Sequence, residues 1–348
     1  MKLSTPFLPL AALAAGGCMT ADTDAPAPAA PTAAAQHIGT VHRGGTALDA
    51  LIAPDARIEK LADGFKWSEG PVWVREGKYL LFSDVPANRI YRWSEADGLS
   101  VFLEPSGYAG PQPSPFREEG TNGLIRGDRP GTILVADHGN RGVARLDLST
   151  KQKTFLAQHY QGKRFNSPND LVRAENGAIY FTDPPYGLQG LNESPLKELP
   201  FNGVFRLDPN GEVTLLTDKM SFPNGVILSP DEKTLYVANS DPKRAVIMAF
   251  DLANGRLSNE RVFADMTSMV GSAHPGLPDG MAVDVKGNIF STGPGGVHVF
   301  APDGRRLGRI ETGTAVANCA FAEDGRTLYL TSHNMLARIR TRTTGSRY

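Results

Sequence analysis

The sequence is poor in cysteine and carries no surplus of charge. Of its 348 residues only Cys18 and Cys319 are cysteine. Two cysteines cannot build a disulfide scaffold or a thiolate zinc site. Lys and Arg number 36 against 37 Asp and Glu, a formal net charge of −1. That balance argues against a large phosphate-neutralising surface, and so against a nucleic-acid partner. No Gly-x-Ser-x-Gly nucleophile elbow is present. A phosphate loop of the Gly-x-x-x-x-Gly-Lys-Ser/Thr type is also missing, and Gly293-Pro294-Gly295-Gly296 fails the dinucleotide spacing. What is plentiful is punctuation: 37 Gly and 26 Pro. So many breakers exclude a helical bundle and suit short strands joined by turns. With 41% hydrophobic and 21% charged residues, the chain has material for a packed core.

The first residues have a targeting composition. Met1-Lys2 is basic, Phe7 to Ala15 is apolar, and Ala15-Gly16-Gly17-Cys18 supplies small residues before a cut. The apolar run is too short to cross a bilayer as a helix. The pattern resembles a lipoprotein signal with Cys18 as the lipidated mature end; plain secretory cleavage is the alternative. Residues 1–18 are therefore expected to be a signal peptide, and the protein to be exported to the periplasm or lipid-anchored to the envelope. Its only membrane link would be that anchor. Residues 21–35, ADTDAPAPAAPTAAA, have linker composition. The linker is expected over 19–55 and one folded domain over 56–348.

Within that domain one pattern recurs six times. The copies begin SEGPVWV (68–74), TNGLIRG (121–127), PNDLVRA (168–174), PNGVILS (223–229), PDGMAVD (278–284) and ANCAFAE (317–323). A second strand follows each, as in KYLLFSD (78–84) and GAIYFTD (177–183), and then a third. A fourth is visible in four of the copies, as in KTFLA (153–157). Four short strands per roughly 40–50 residues is a β-propeller blade. The expected fold is all-β, a six-bladed β-propeller. The sixth copy lacks a fourth strand, so an N-terminal strand near Ala56–Leu61 is expected to close the ring. A pair of β-sandwiches would not explain six copies in register.

In a propeller the first strand of each blade lines the central channel. The residues at the six onsets, Glu69, Asn122, Asn169, Asn224, Asp279 and Asn318, should meet at one mouth. They are two carboxylates and four amides, with no His or Cys. Oxygen donors of this kind select a hard cation such as Ca²⁺ or Mg²⁺. Asn and Asp also sit in ordinary turns. Position in the repeat separates the cases: Pro223-Asn224-Gly225 and Pro278-Asp279-Gly280 are onsets, whereas Pro209-Asn210-Gly211 and Pro302-Asp303-Gly304 are outer hairpins.

Glu69-Gly70-Pro71-Val72-Trp73, Ser167-Pro168-Asn169-Asp170, Phe222-Pro223-Asn224-Gly225 and Leu277-Pro278-Asp279-Gly280-Met281, in that order and in those blades, resemble the senescence marker protein/gluconolactonase/regucalcin family. The resemblance spans nearly all of 57–340 and implies one divalent cation in the channel. Ca²⁺ comes first, with Mg²⁺, Mn²⁺ and Zn²⁺ as alternatives. It implies Glu69, Asn224 and Asp279 as ligands, Asn169 as a further ligand or substrate contact, and Asp279 as the acid/base residue. Residue types alone would allow Glu69 and Asp279 to exchange roles. Asn122 joins the candidate substrate contacts. Asp137-His138-Gly139-Asn140-Arg141 resembles a segment of the bacterial gluconolactonase branch, so His138 and Arg141 are candidates for substrate hydroxyls, with loop packing the other reading. The implied activity is hydrolysis of a sugar lactone. A phosphotriesterase-like or arylesterase-like hydrolase, and a non-catalytic binding propeller, remain as alternatives. Pro111 to Phe116, before Glu118-Glu119, is a candidate cover for the mouth.

Overall fold

The computed structural model describes residues 36–347. The signal segment with Cys18, and the Ala/Pro tract up to residue 35, lie outside the described residues. Six antiparallel sheets form the body, one for each repeat. Their inner strands are Ser68–Val74, Thr121–Arg126, Leu171–Arg173, Pro223–Leu228, Met281–Val283 and Asn318–Ala322. The six-bladed propeller expected from the repeats is the observed fold. Among the described residues the helical content is three short 3-10 turns.

Period-2 alternation builds the core. Each blade sends alternate side chains to its two neighbours. In Tyr79–Asp84, Leu81 packs toward the second blade, while Leu80 and Phe82 pack toward the sixth. In Thr234–Asp241, Leu235 and Val237 face the third blade, and Tyr236 and Ala238 the fifth. Six apolar clusters result, one in each interface between blades.

The ring closes through both chain ends. Ile58–Asp63 pairs antiparallel with Met335–Arg340 and is the missing fourth strand of the last blade. The expected linker, however, runs too far. Residues 36–55 belong to the folded unit. Gln36–Ile38 adds a strand outside Ile58–Asp63, and Thr40–Arg43 adds one to Arg306–Glu311 in the fifth blade. Behind them Leu48, Leu51 and Ile52 are buried between the last two blades. Arg43 fixes the corner with bonds to Asp49 (2.5 Å) and the Ala53 carbonyl (2.7 Å). The physical reason is edge protection: two blades offer unpaired outer edges, and these segments cover them.

Two devices aim the onset residues. The inner strands of the first, second and fourth blades are bulged just after the onset, between Glu69 and Val72, Thr121 and Leu124, and Pro223 and Val226. A bulge bends the strand and redirects its side chains. The glycine after the onset lets neighbouring inner strands touch. A Cβ on Gly70 would lie 2.2 Å from the Asn122 carbonyl oxygen, and one on Gly225 would lie 2.0 Å from that of Asp279.

Candidate active site

The onset segments make a closed circuit. Ser83 Oγ donates to the Asn122 carbonyl (2.8 Å), and the Gly123 amide to the Asn169 carbonyl (2.8 Å). The Val226 amide reaches Asp170 Oδ2 (3.3 Å), and Ser240 Oγ donates to the Pro278 carbonyl. The Gly280 amide donates to the Ala317 carbonyl (2.8 Å), and Asn318 Nδ2 to Glu69 Oε2 (3.3 Å). Every blade is thereby fastened to the next at the same level, and the onset side chains share one small volume.

Glu69, Asn122, Asn169 and Asn224 are buried there, and Asp279 is partly open. Glu69 Oε2 accepts the Gly70 amide (3.0 Å) as well as Asn318. Burial pushes the Glu69 carboxyl up to about 8, helped by the charges of Asp170 and Glu118. Burial likewise raises Asp279 well above the carboxylate range, and Glu69, Asp170 and Glu118 add to the effect. Like charges confined in a dry site disfavour each other's ionisation. Asn224 Nδ2 donates to Ser240 Oγ (2.9 Å), which turns Oδ1 away; that oxygen is buried without a hydrogen-bond partner. A buried carbonyl oxygen without a donor calls for a ligand.

Among the described residues no three carboxylate, imidazole or thiol side chains gather as a cation cage. The donor set here is two carboxylates completed by amide oxygen. Its chemistry fits a hard divalent cation, because that charge relieves the repulsion between Glu69 and Asp279 and satisfies Asn224 Oδ1.

The other nominated residues fall behind this set. His138 is wholly buried, with Nδ1 3.3 Å from Glu118 Oε2. Arg141 holds a left-handed backbone (φ 55°), and its Nε donates to the Phe165 carbonyl (2.7 Å). Its Nη1 lies 3.5 Å from Glu198. Its Nη2 is buried without a hydrogen-bond partner, so the guanidinium combines loop packing with one unspent donor. Asp303 and Asn210 are exposed and cap their own hairpins, accepting from the Arg305 and Glu212 amides (both 3.0 Å).

Three residues at the site escaped the sequence reading. Asp170 stands where four other repeats carry Gly. It is buried, bonds the Leu171 amide (2.9 Å) and the Val226 amide, and burial raises it to about 7. Glu118 comes from the loop before the second blade, for which the sequence holds no pattern. Tyr186 stacks on Phe222 with ring centroids 5.7 Å apart. Burial and the Asp279 charge raise its hydroxyl well above the usual range, and that hydroxyl meets Ser240. A cavity of about 540 Å³ opens on the far side of the ring, lined by Val72, Leu124, Met281 and Phe321. It touches Asp170 and Asn318 from below, but the onset carboxylates face the other mouth.

With this geometry in place, likeness to known proteins becomes informative. A family model described as the SMP-30/Gluconolactonase/LRE-like region matches residues 67–334. The chain belongs to that family. It is 43% identical to a gluconolactonase of Zymomonas mobilis subsp. mobilis over 97% of this chain and 96% of that protein. A pentonolactonase of Haloferax volcanii is 29% identical over 76% of this chain and 80% of its own. Among solved structures, a gluconolactonase from Xanthomonas campestris superposes with a TM-score of 0.76 at 34% identity, covering 90% of this chain and 99% of that one. A calcium-binding regucalcin from Agrobacterium tumefaciens shares the fold, with a TM-score of 0.64 at 20% identity, over 81% and 94% of the two chains. The expectation of a gluconolactonase-like enzyme on a six-bladed propeller holds.

Proposed function

We propose that the chain is a divalent-cation-dependent hydrolase that opens a sugar lactone. The observation that carries this reading is the conjunction of Glu69, Asp279 and the unpartnered Asn224 Oδ1 on one axis. Full-length similarity to a gluconolactonase, and similarity to a pentonolactonase, support a lactone of a sugar acid as substrate. Kinship with a calcium-binding regucalcin supports Ca²⁺ as the first cation to test.

Glu69, Asn224 and Asp279 would hold the ion, with Asn169 on the same ring. Bound there, the ion supplies Lewis-acid polarisation and offsets developing negative charge. Asp279 takes the proton of the attacking water as the new C–O bond forms at the lactone carbonyl. The ring C–O bond then breaks, and its oxygen receives the proton from Asp279. One water is consumed and one hydroxy acid is formed. Glu69 stays ionised and balances charge, held by the Gly70 amide and Asn318. Asn122 would contact the substrate, and Tyr186 and Phe222, stacked on each other, would offer an aromatic wall to the sugar ring.

The test is chelation followed by add-back of single cations, assayed against a panel of lactones. The expected result is loss of ring opening on chelation and recovery with one divalent ion. Undiminished activity in chelated protein would overturn the cation-dependent mechanism.

A further inference from the structure

A strap, residues 104–120, joins the first blade to the second and reaches the third. It is tied to the second blade by the Asn140 Nδ2 bond to the Gly107 carbonyl (2.8 Å). It then pairs with the third blade's long loop. The Arg117 amide donates to the Gly187 carbonyl (2.9 Å), Phe116 bridges Leu188, and Arg117 Nη1 reaches the Tyr186 carbonyl (3.2 Å). Glu118 is thereby fixed, with 13% of its side chain exposed. Arg117 Nη1 lies 3.1 Å from its Oε1, and the buried His138 Nδ1 lies 3.3 Å from its Oε2. A carboxylate accepts about four hydrogen bonds, so each oxygen retains capacity for a further donor.

We infer that Glu118 is a specificity-determining residue, whose clamped carboxylate accepts hydrogen bonds from the hydroxyl groups of a polyhydroxylated lactone. This rests on the lactonase reading and adds to it how substrates are told apart. Three observations carry it. Glu118 lies four residues before the Asn122 onset, and its neighbour Arg117 is bonded to the Gly187 and Tyr186 carbonyls, where Tyr186 stacks on Phe222 beside the Asn224 onset. It therefore borders the reacting volume. A further negative charge beside the pair Glu69 and Asp279 is unfavourable for cation-assisted ring opening as such, yet Arg117 pairs with it and the strap holds it in place. The buried, unpartnered Asn224 Oδ1, linked through Ser240 to Tyr186, independently marks the same volume as a ligand site. A site built to bond hydroxyls rejects an analogue without them, because its buried acceptor is left unpaired.

The test compares a polyhydroxylated six-membered lactone with the unsubstituted lactone of the same ring size. Wild type, Glu118→Gln and Glu118→Ala are assayed with the activating cation present. Loss of a hydrogen bond to a charged acceptor should raise KM for the hydroxylated lactone about 10- to 100-fold in Glu118→Ala, and less in Glu118→Gln. The KM for the unsubstituted lactone should move far less, so the ratio of the two KM values reads the lost hydrogen bonds apart from any change in cation binding, and thermal melts of each variant report folding. An unchanged KM, or equal losses on both lactones, would overturn the inference and leave the lactonase reading standing. A wild type that opens neither lactone overturns both.

Discussion

Pro209-Asn210-Gly211 and Pro223-Asn224-Gly225 are one tripeptide in two places. Asn210 is exposed, and its amide oxygen caps the Glu212 amide inside its own hairpin. Asn224 is 4% exposed, its nitrogen is engaged by Ser240, and its oxygen has no partner. Asp303 and Asp279 repeat the contrast: a solvated hairpin cap, and a carboxyl forced upward by burial and by Glu69. Local sequence is equal within each pair, so the difference comes from the strand that follows. After Asn210 comes an outer strand facing water; after Asn224 comes a channel strand bulged at Gly225.

The contrast is broken or sharpened by substitution. Asp279→Ala should lower kcat/KM for a lactone by about 100- to 10,000-fold, the range of a lost general base. Asp303→Ala should stay within about 0.5 kcal/mol of wild-type stability and keep its activity. Comparable losses in both would mean that the onset alignment is wrong. The amide pair gives a smaller effect. Ser240→Ala frees the Asn224 amide to rotate, and should weaken cation affinity about 10- to 100-fold, as loss of an outer partner does. Asn224→Ala should weaken it at least as much, whereas calorimetric titration of Asn210→Ala should give the wild-type constant.

The smallest effect is one of pH. In cation-free protein Glu69 sits at about 8 and Asp170 at about 7, above the roughly 4 of unfolded carboxyls. The folded state then binds more protons than the unfolded one. Their stabilising contribution is complete below about pH 4 and is lost as pH rises through 7 and 8. Thermal melts of chelated wild type, taken relative to Glu69→Gln, should fall between pH 5 and pH 8. A divalent cation should restore more at pH 8, because it binds the ionised carboxylates. A wild-type-minus-variant difference that stays level across that range would count against the burial of an ionisable Glu69.

Much of the ring is legible in sequence because blades repeat a local rule. Alternation of two in YLLFSD and TLYVANSD already assigns Leu81 and Phe82 to opposite interfaces. Onset positions follow from the repeat, which is why Glu69, Asn224 and Asp279 can be named without coordinates. Asp170 was also readable, as the carboxylate where other repeats have Gly. The strands at 36–38 and 40–43 were not. QHIGTVHRGG has little apolar alternation, and its order derives from edges supplied by Ile58–Asp63 and Arg306–Glu311. The partners of Arg141 were not readable either, because a loop arginine beside a strand end carries no mark of them.

The sequence alone determined the number of blades, their strand order, the closing strand and the oxygen character of the channel mouth. These depend on period-2 patterning and on turn residues, which act over a few positions. Tertiary structure decided which groups share that mouth. Asn318 bonds Glu69 across 249 residues, and a strap from before the second blade brings Arg117 and Glu118 to the third-blade loop at 186–188. Such meetings are fixed by ring closure and strap geometry, and no local periodicity encodes them.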